Sequence, residues 1–162
     1  MHAVARTREL TEFLFRTRGG PRAALCALGI RAVSGSIFVV FGIYKFTDHR
    51  HETESFEMYG LPSPALFAYA IGVLEIVAGV LLLAGLMTRP AAALLAGDMV
   101  GAIATAGRVE GGPINLALAP ALLIGMLVLL WIGPGGWSVD GRLARSSLWS
   151  RTSSPSSASP PS

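Results

Sequence analysis

The stretch from Ala65 to Leu86, "ALFAYAIGVLEIVAGVLLLAGL", runs for 22 residues with a single charged side chain, Glu75. At about 1.5 Å per residue it is long enough to cross a hydrocarbon core of about 30 Å. Three more runs share its character: Ala23 to Tyr44, Pro90 to Gly107 and Pro113 to Gly133. Hydrophobic residues make up 52% of the chain and charged residues 14%, against about 25% charged in globular domains. No water-facing surface can hide that much apolar material. The expected fold is all-α, an integral membrane bundle of four helices over 23–44, 65–86, 90–107 and 113–133.

The flanks differ in composition. Residues 1–22 form a basic arm in which "ELTEFLFR" suits a short amphipathic helix on the membrane surface. The apolar run of this arm is too short for a secretory signal. Residues 23–145 hold the four-helix domain, and 146–162 form a Ser/Pro-rich tail with the composition of disorder. Nine basic residues fall on the side of the two termini and the "GLMTR" hairpin, while Lys45, Arg50 and Arg108 fall on the other. The positive-inside rule then places both termini in the cytoplasm. The arginines flank apolar runs and form no nucleic-acid motif, so a lipid bilayer is the expected partner and nucleic acid is not. The lone Cys26 excludes an intrachain disulfide or a CxxC pair, and its default role is a small packed residue. Trp131 and Trp137 bracket the end of the fourth run and suit an interfacial aromatic belt.

Charges within the spans are the informative residues, because an ionised group in hydrocarbon is costly unless it finds a partner or water. Arg31 lies eight residues into the first run and Asp98 eight into the third, roughly 12 Å from the same face. Glu75 lies ten residues into the second from the other face, roughly 15 Å. The three are thus expected at similar depth. Each shares a helical face with small or polar residues: Arg31 with Ser34, Gly35, Phe38, Gly42 and Lys45, Glu75 with Gly72 and Gly79, Asp98 with Gly101 and Thr105. Small residues let helices approach closely in lipid. Two readings follow. Arg31 bridges Glu75 or Asp98 as a structural ion pair, or the charges line a polar pocket for a small molecule or for protons. In the second reading Glu75 and Asp98 are the proton-relay candidates, and Arg31, Ser34, Phe38 and Lys45 are the substrate-binding candidates.

The segment "KFTDHRHETESFEMYGLPSP" is the most polar of the chain. Asp48, His49, His51, Glu52, Glu54 and Glu57 match no metal-ligand spacing, so a solvated loop or short surface helix is expected and no metal. Lys45 and Phe46 read as interfacial anchors, with Lys45 also placed to close a pocket from outside.

Three motifs in order resemble the DoxX family over about Gly29 to Leu143. They are "GIRAVSGSIFVVFGIYKF", "YGLPSPALFAYAIGVLEIVAGVLLLAGLMTRPAAALLAGDM" and the ending "GPGGWSVDGRL". The resemblance implies a four-helix protein of the bacterial inner membrane. Some members of the family are subunits of thiosulfate:quinone oxidoreductase, and the wider family is linked to thiol and oxidative-stress handling. The implied function is the membrane subunit of a quinone-linked thiol/sulfur or oxidative-stress redox system. A quinone would be its substrate, and a cytoplasmic or membrane redox protein its partner. No flavin, haem or iron–sulfur signature is present, so no intrinsic cofactor is expected. The chain departs from the family pattern at Asp98, where a small or apolar residue is expected, which favours a specialised pocket or a helix contact in a homo-oligomer. A non-enzymatic scaffold or assembly factor for cytoplasmic proteins stays open beside this reading, as does a small-molecule or proton-coupled transporter.

Overall fold

The computed structural model describes residues 18–109 and 114–143. Proline opens the first two long helices, where its missing N–H would have no partner in any case. These are α1, Pro21–Thr47, and α3, Pro64–Ala84, joined through the short helix α2, His49–Met58. α4, Thr88–Ala104, breaks at Thr105 into a single turn, α5, Ala106–Val109. A π-helical turn at Ile114–Leu118 then runs into α6, Ala119–Ile132. The widened turn lies just before Pro120, which cannot donate to the Leu116 carbonyl. No strand occurs among the described residues.

Three helical stretches are long and apolar enough to cross a membrane: Pro21–Thr47, Pro64–Ala84 and Thr88–Val109. Leu116–Ile132 is a shorter apolar helix. Their outward faces carry Val33, Val40, Val73, Val77, Leu94 and Ile124, all well exposed. Helices that are apolar on every side have no wet face, and lipid is the solvent these surfaces fit. The protein is therefore a membrane protein with the expected all-helical bundle. The N-terminal surface helix, the Ser/Pro-rich tail and the Pro113 start of the last helix lie outside the described residues.

α1 packs chiefly on α3, and α4 chiefly on α6. The first pair meets backbone to backbone. A Cβ on Gly35 would lie 2.9 Å from the Gly79 carbonyl oxygen, and one on Gly42 would lie 2.8 Å from that of Gly72. These glycines, seven residues apart on each helix, are the small residues the sequence places on inward faces. The core is continuous through Phe38, Leu82, Leu95, Met126 and Leu129 with a dense set of alanines.

One end of the bundle is closed by the hairpin between α3 and α4. Gly85, with φ 67°, ends α3, and the Leu86 N–H reaches back 3.0 Å to the Leu81 carbonyl. Asp140, fully buried, accepts from the Met87 and Thr88 N–H groups and the Thr88 hydroxyl, each at 2.9 Å. Its own N–H donates to the Gly85 carbonyl at 3.0 Å. This cap starts α4 at Thr88, two residues before the proline that the sequence marks as its beginning. At the same end the Arg18 N–H donates to the Ile132 carbonyl at 2.7 Å, and its guanidinium lies 5.6 Å from the Trp131 ring centre. Trp131 and Trp137 are 71% and 73% exposed, as interfacial residues would be. Cys26 is exposed on α1 rather than packed, because the inward stripe of that helix falls on Ala27, Arg31, Ser34 and Phe38.

Candidate functional site

Every Cα–Cβ bond in a helix leans toward the helix N-terminus. This rule separates the two basic residues on the inner stripe of α1. Arg31 stands in the first half, so its side chain runs out toward the hairpin end. Lys45 stands near the C-terminus, so its side chain runs inward.

Arg31 is 2% exposed, and its guanidinium donates to four carbonyls. Nε meets Leu82 at 2.8 Å and Nη2 meets Leu83 at 3.2 Å, both in the last turn of α3. Nη1 meets Pro134 at 2.9 Å and Trp137 at 3.4 Å in the turn after α6. A side chain at Gly85 would collide with this guanidinium. Arg31 therefore ties the end of α3 to the C-terminal turn. Both sequence readings of it need correction: it bridges neither Glu75 nor Asp98, and it lines no pocket with them. Its partner Leu83 lies eight residues beyond Glu75 on α3, roughly 12 Å along the axis. Equal depth of the Cα atoms does not give equal depth of the charges.

The partner of Glu75 is Lys45. Gly72 leaves room for the lysine stem: a Cβ there would lie 3.3 Å from Lys45 Cβ. From that level the chain reaches one turn inward, placing Nζ 3.1 Å from Glu75 Oε2 and 3.3 Å from Oε1. Asp98 on α4 lines the same cavity as Lys45 and Glu75. Glu75 is buried, and Asp98 Oδ2 is a buried oxygen with no hydrogen-bond partner. Lys45, Glu75 and Asp98 thus form one polar cluster in the apolar interior, built from α1, α3 and α4.

The cluster forms the floor of a cavity of about 550 Å3, within the range of about 300–1,000 Å3 usual for small-molecule sites. Four aromatic side chains stand in its walls: Phe41 from α1, Phe56 from α2, Tyr59 just beyond it, and Phe67 from α3. The polar segment after α1 forms a short surface helix, and one of its faces is turned inward over the cavity. Glu52, Ser55, Phe56 and Tyr59 recur at helical spacing and all line the cavity. Glu52 Oε2 lies 3.9 Å from Lys45 Nζ, so the lysine is shared between floor and roof. Lys45 is an inward-facing residue of the cavity and not a lipid-interface anchor. Phe46, the other expected anchor, is 39% exposed and packs at 5.6 Å on Tyr69, which stacks on His49 at 3.9 Å.

Ser34 and Phe38, named from sequence as substrate contacts, are buried outside this cavity. Phe38 is part of the core, and Ser34 Oγ lies 3.5 Å from where a Cβ on Gly125 would be. Gly101 and Thr105 do share the cavity with Asp98, as their common face implied. Among the described residues no group of three or more His, Cys, Asp or Glu side chains could hold a metal ion. Sequence reasoning missed the roof of α2 and the wall residue Phe41. The spacing of Glu52, Ser55, Phe56 and Tyr59 was the available signal, and it was obscured by the charges between them.

The DoxX family model matches residues 26–108, which include α1 from Cys26 onward, α2, α3, α4 and the whole Lys45–Glu75–Asp98 cluster. The chain is 40% identical over 140 residues to "Uncharacterized membrane protein Rv3486" of Mycobacterium tuberculosis, covering 78% of this chain and 84% of the relative. It is also 40% identical over 76 residues to "Putative oxidoreductase CatD" of Bacillus subtilis, covering 47% of this chain and 55% of that protein. No solved structure matches it. On the family match, and on a relative aligned along most of both chains, this protein belongs to the DoxX family.

Proposed function

We propose that this protein is the membrane subunit of a quinone-linked redox system of the bacterial inner membrane, with both termini in the cytoplasm. The observation that carries the reading is the Lys45–Glu75–Asp98 cluster at the floor of an aromatic-walled cavity within the bundle. A quinone ring is planar, apolar on its faces and polar at its two carbonyl oxygens. Phe56, Tyr59 and Phe67 offer ring faces for it to pack on, and the Lys45 ammonium is a donor for one carbonyl oxygen. Reduction of a quinone to a quinol takes two electrons and two protons. Negative charge develops on the oxygens as electrons arrive, and a fixed ammonium stabilises it. In this reading Glu75 and Asp98 deliver the protons and are recharged from the α2 side, where Glu52 Oε2 lies 3.9 Å from Lys45 Nζ. The electrons come from a partner protein oxidising a thiol or reduced sulfur compound. The naming of the Bacillus subtilis relative as a putative oxidoreductase supports the class of chemistry. The arginine-rich hairpin end supports the orientation.

Infrared difference spectroscopy on the purified protein tests the proton role. Bound quinone is reduced electrochemically, and carboxyl bands are compared in wild type, Glu75→Gln and Asp98→Asn. The reading requires carboxyl bands that accompany reduction in the wild type and are lost in at least one variant. Identical spectra in all three would sink it.

A further inference from the structure

The walls of the cavity are unequal. Toward the α2 end the roof is dense, with Ser55 buried and Glu52 tied to Lys45. Between α3 and α4 the rim is open. Phe67 on one side is 38% exposed and Leu94 on the other is 57% exposed. Gly97 and Gly101 lie between them on α4, both exposed, and a Cβ built on either meets nothing within 4 Å. Small residues four apart normally mark close helix approach in lipid, as Gly35 and Gly79 show elsewhere in this bundle. At Gly97 and Gly101 none of the described residues comes within 4 Å of such a Cβ. These two lie 9 and 13 residues into α4, roughly 14 and 20 Å from its start, within a membrane-spanning stretch. The opening therefore faces hydrocarbon, while the charged cluster lies at its inner end.

We propose that the cavity opens sideways into the bilayer between α3 and α4, and that its ligand is a membrane-dissolved amphiphile. The polar head reaches Lys45, Glu75 and Asp98, and the hydrocarbon tail leaves through the gap over Gly97 and Gly101. The polarity of the site runs in that order, from ammonium and carboxyls through aromatic walls to a glycine sill. A helix of a second copy could cover the sill but would bring no polar head to the cluster, so a tailed amphiphile is the better-fitting occupant. This inference rests on the quinone reading only for the identity of the head; there it narrows the substrate to quinones with an isoprenoid tail.

The test uses the full chain in lipid nanodiscs and three probes: a tailless quinone, the same quinone with a diazirine-bearing tail, and a long-chain alcohol with the same diazirine. The tailed quinone should label peptides containing Phe67–Leu74 and Leu94–Gly101, and unlabelled tailed quinone should compete. Gly101→Leu should reduce that labelling by about tenfold or more, equivalent to about 1.4 kcal/mol. Gly97→Ala provides a milder block should the leucine variant misfold. Labelling that does not saturate, that spreads equally over α1 and α6, or that survives a folded Gly101→Leu variant overturns the lateral opening. Should the wild type bind no tailless quinone, the quinone reading fails and the alcohol probe decides the opening. Saturable labelling at the same rim upholds it, and none overturns it. Disulfide cross-linking of two copies through Gly101→Cys, with Cys26→Ser to remove the native thiol, would assign the gap to a dimer and overturn it as well.

Discussion

Arg31 and Lys45 sit on one stripe of one helix, both out of water, and do opposite things. The guanidinium of Arg31 meets four carbonyls in the last turn of α3 and the turn after α6, where the regular helical ladder runs out. Arg31→Met removes all four bonds and is expected to cost about 3 kcal/mol of stability, seen as a lowered unfolding midpoint. Arg31→Lys keeps the charge but cannot span the four acceptors with its compact ammonium, so its midpoint should fall nearly as far. Neither change should alter ligand binding in the protein that remains folded. Lys45 instead neutralises an acid. Lys45→Met strands Glu75 beside Asp98 and should destabilise the fold, whereas Lys45→Met with Glu75→Gln should recover most of the loss. The double-mutant cycle reads that coupling, expected at about 1–3 kcal/mol. Additive losses would mean that the two side chains do not interact. The sequence announces that three spans carry charges, and it announces the faces those charges share. It does not announce the pairing, because the lean of each side chain adds or subtracts the length of a long arm from the depth of its Cα.

At the scale of elements, α1 and α3 are joined through glycines, and α3 and α4 through Asp140. Gly35→Leu would force a branched side chain against the Gly79 carbonyl, 2.9 Å from its first carbon, and Gly35→Ala alone should cost about 1–3 kcal/mol. The same substitution at Gly97 meets open space and should be close to neutral for the fold. Thermal unfolding of the two variants side by side checks the contrast; equal losses would contradict the close crossing of α1 and α3. Asp140→Ala should loosen the hairpin by about 1–2 kcal/mol through loss of the cap on α4, with hydrogen exchange rising first at Met87 and Thr88. The helix-packing glycines were legible in the sequence, because spacing of seven on a polar-marked face has few other uses in lipid. The Asp140 cap was legible only as part of a family ending, since its partners lie more than fifty residues away and no local pattern connects them. The roof formed by α2 was half-legible: its helical character follows from composition, but which face turns inward depends on the cavity beneath it.

As a whole molecule the bundle reverses the distribution of a soluble protein, with small and polar residues inside and large apolar ones on the surface. That reversal follows from four apolar runs in one chain, and so the fold class was legible from the outset. What the runs could not convey is that the interior is asymmetric along its axis. The hairpin end is filled and held by Arg31 and Asp140, and the opposite end is hollow over Lys45, Glu75 and Asp98. In the function proposed above, the hollow end is the binding site and the filled end is scaffold. The most direct measurement is a quinone titration on purified protein, comparing wild type with Lys45→Met, Glu75→Gln and Arg31→Lys, with the folded fraction of each determined in parallel. The expected result is saturable binding to the wild type, loss of affinity by about tenfold or more in the two variants of the cluster, and full affinity in the folded fraction of Arg31→Lys. Equal affinity in wild type and Glu75→Gln, or loss confined to Arg31→Lys, would contradict it.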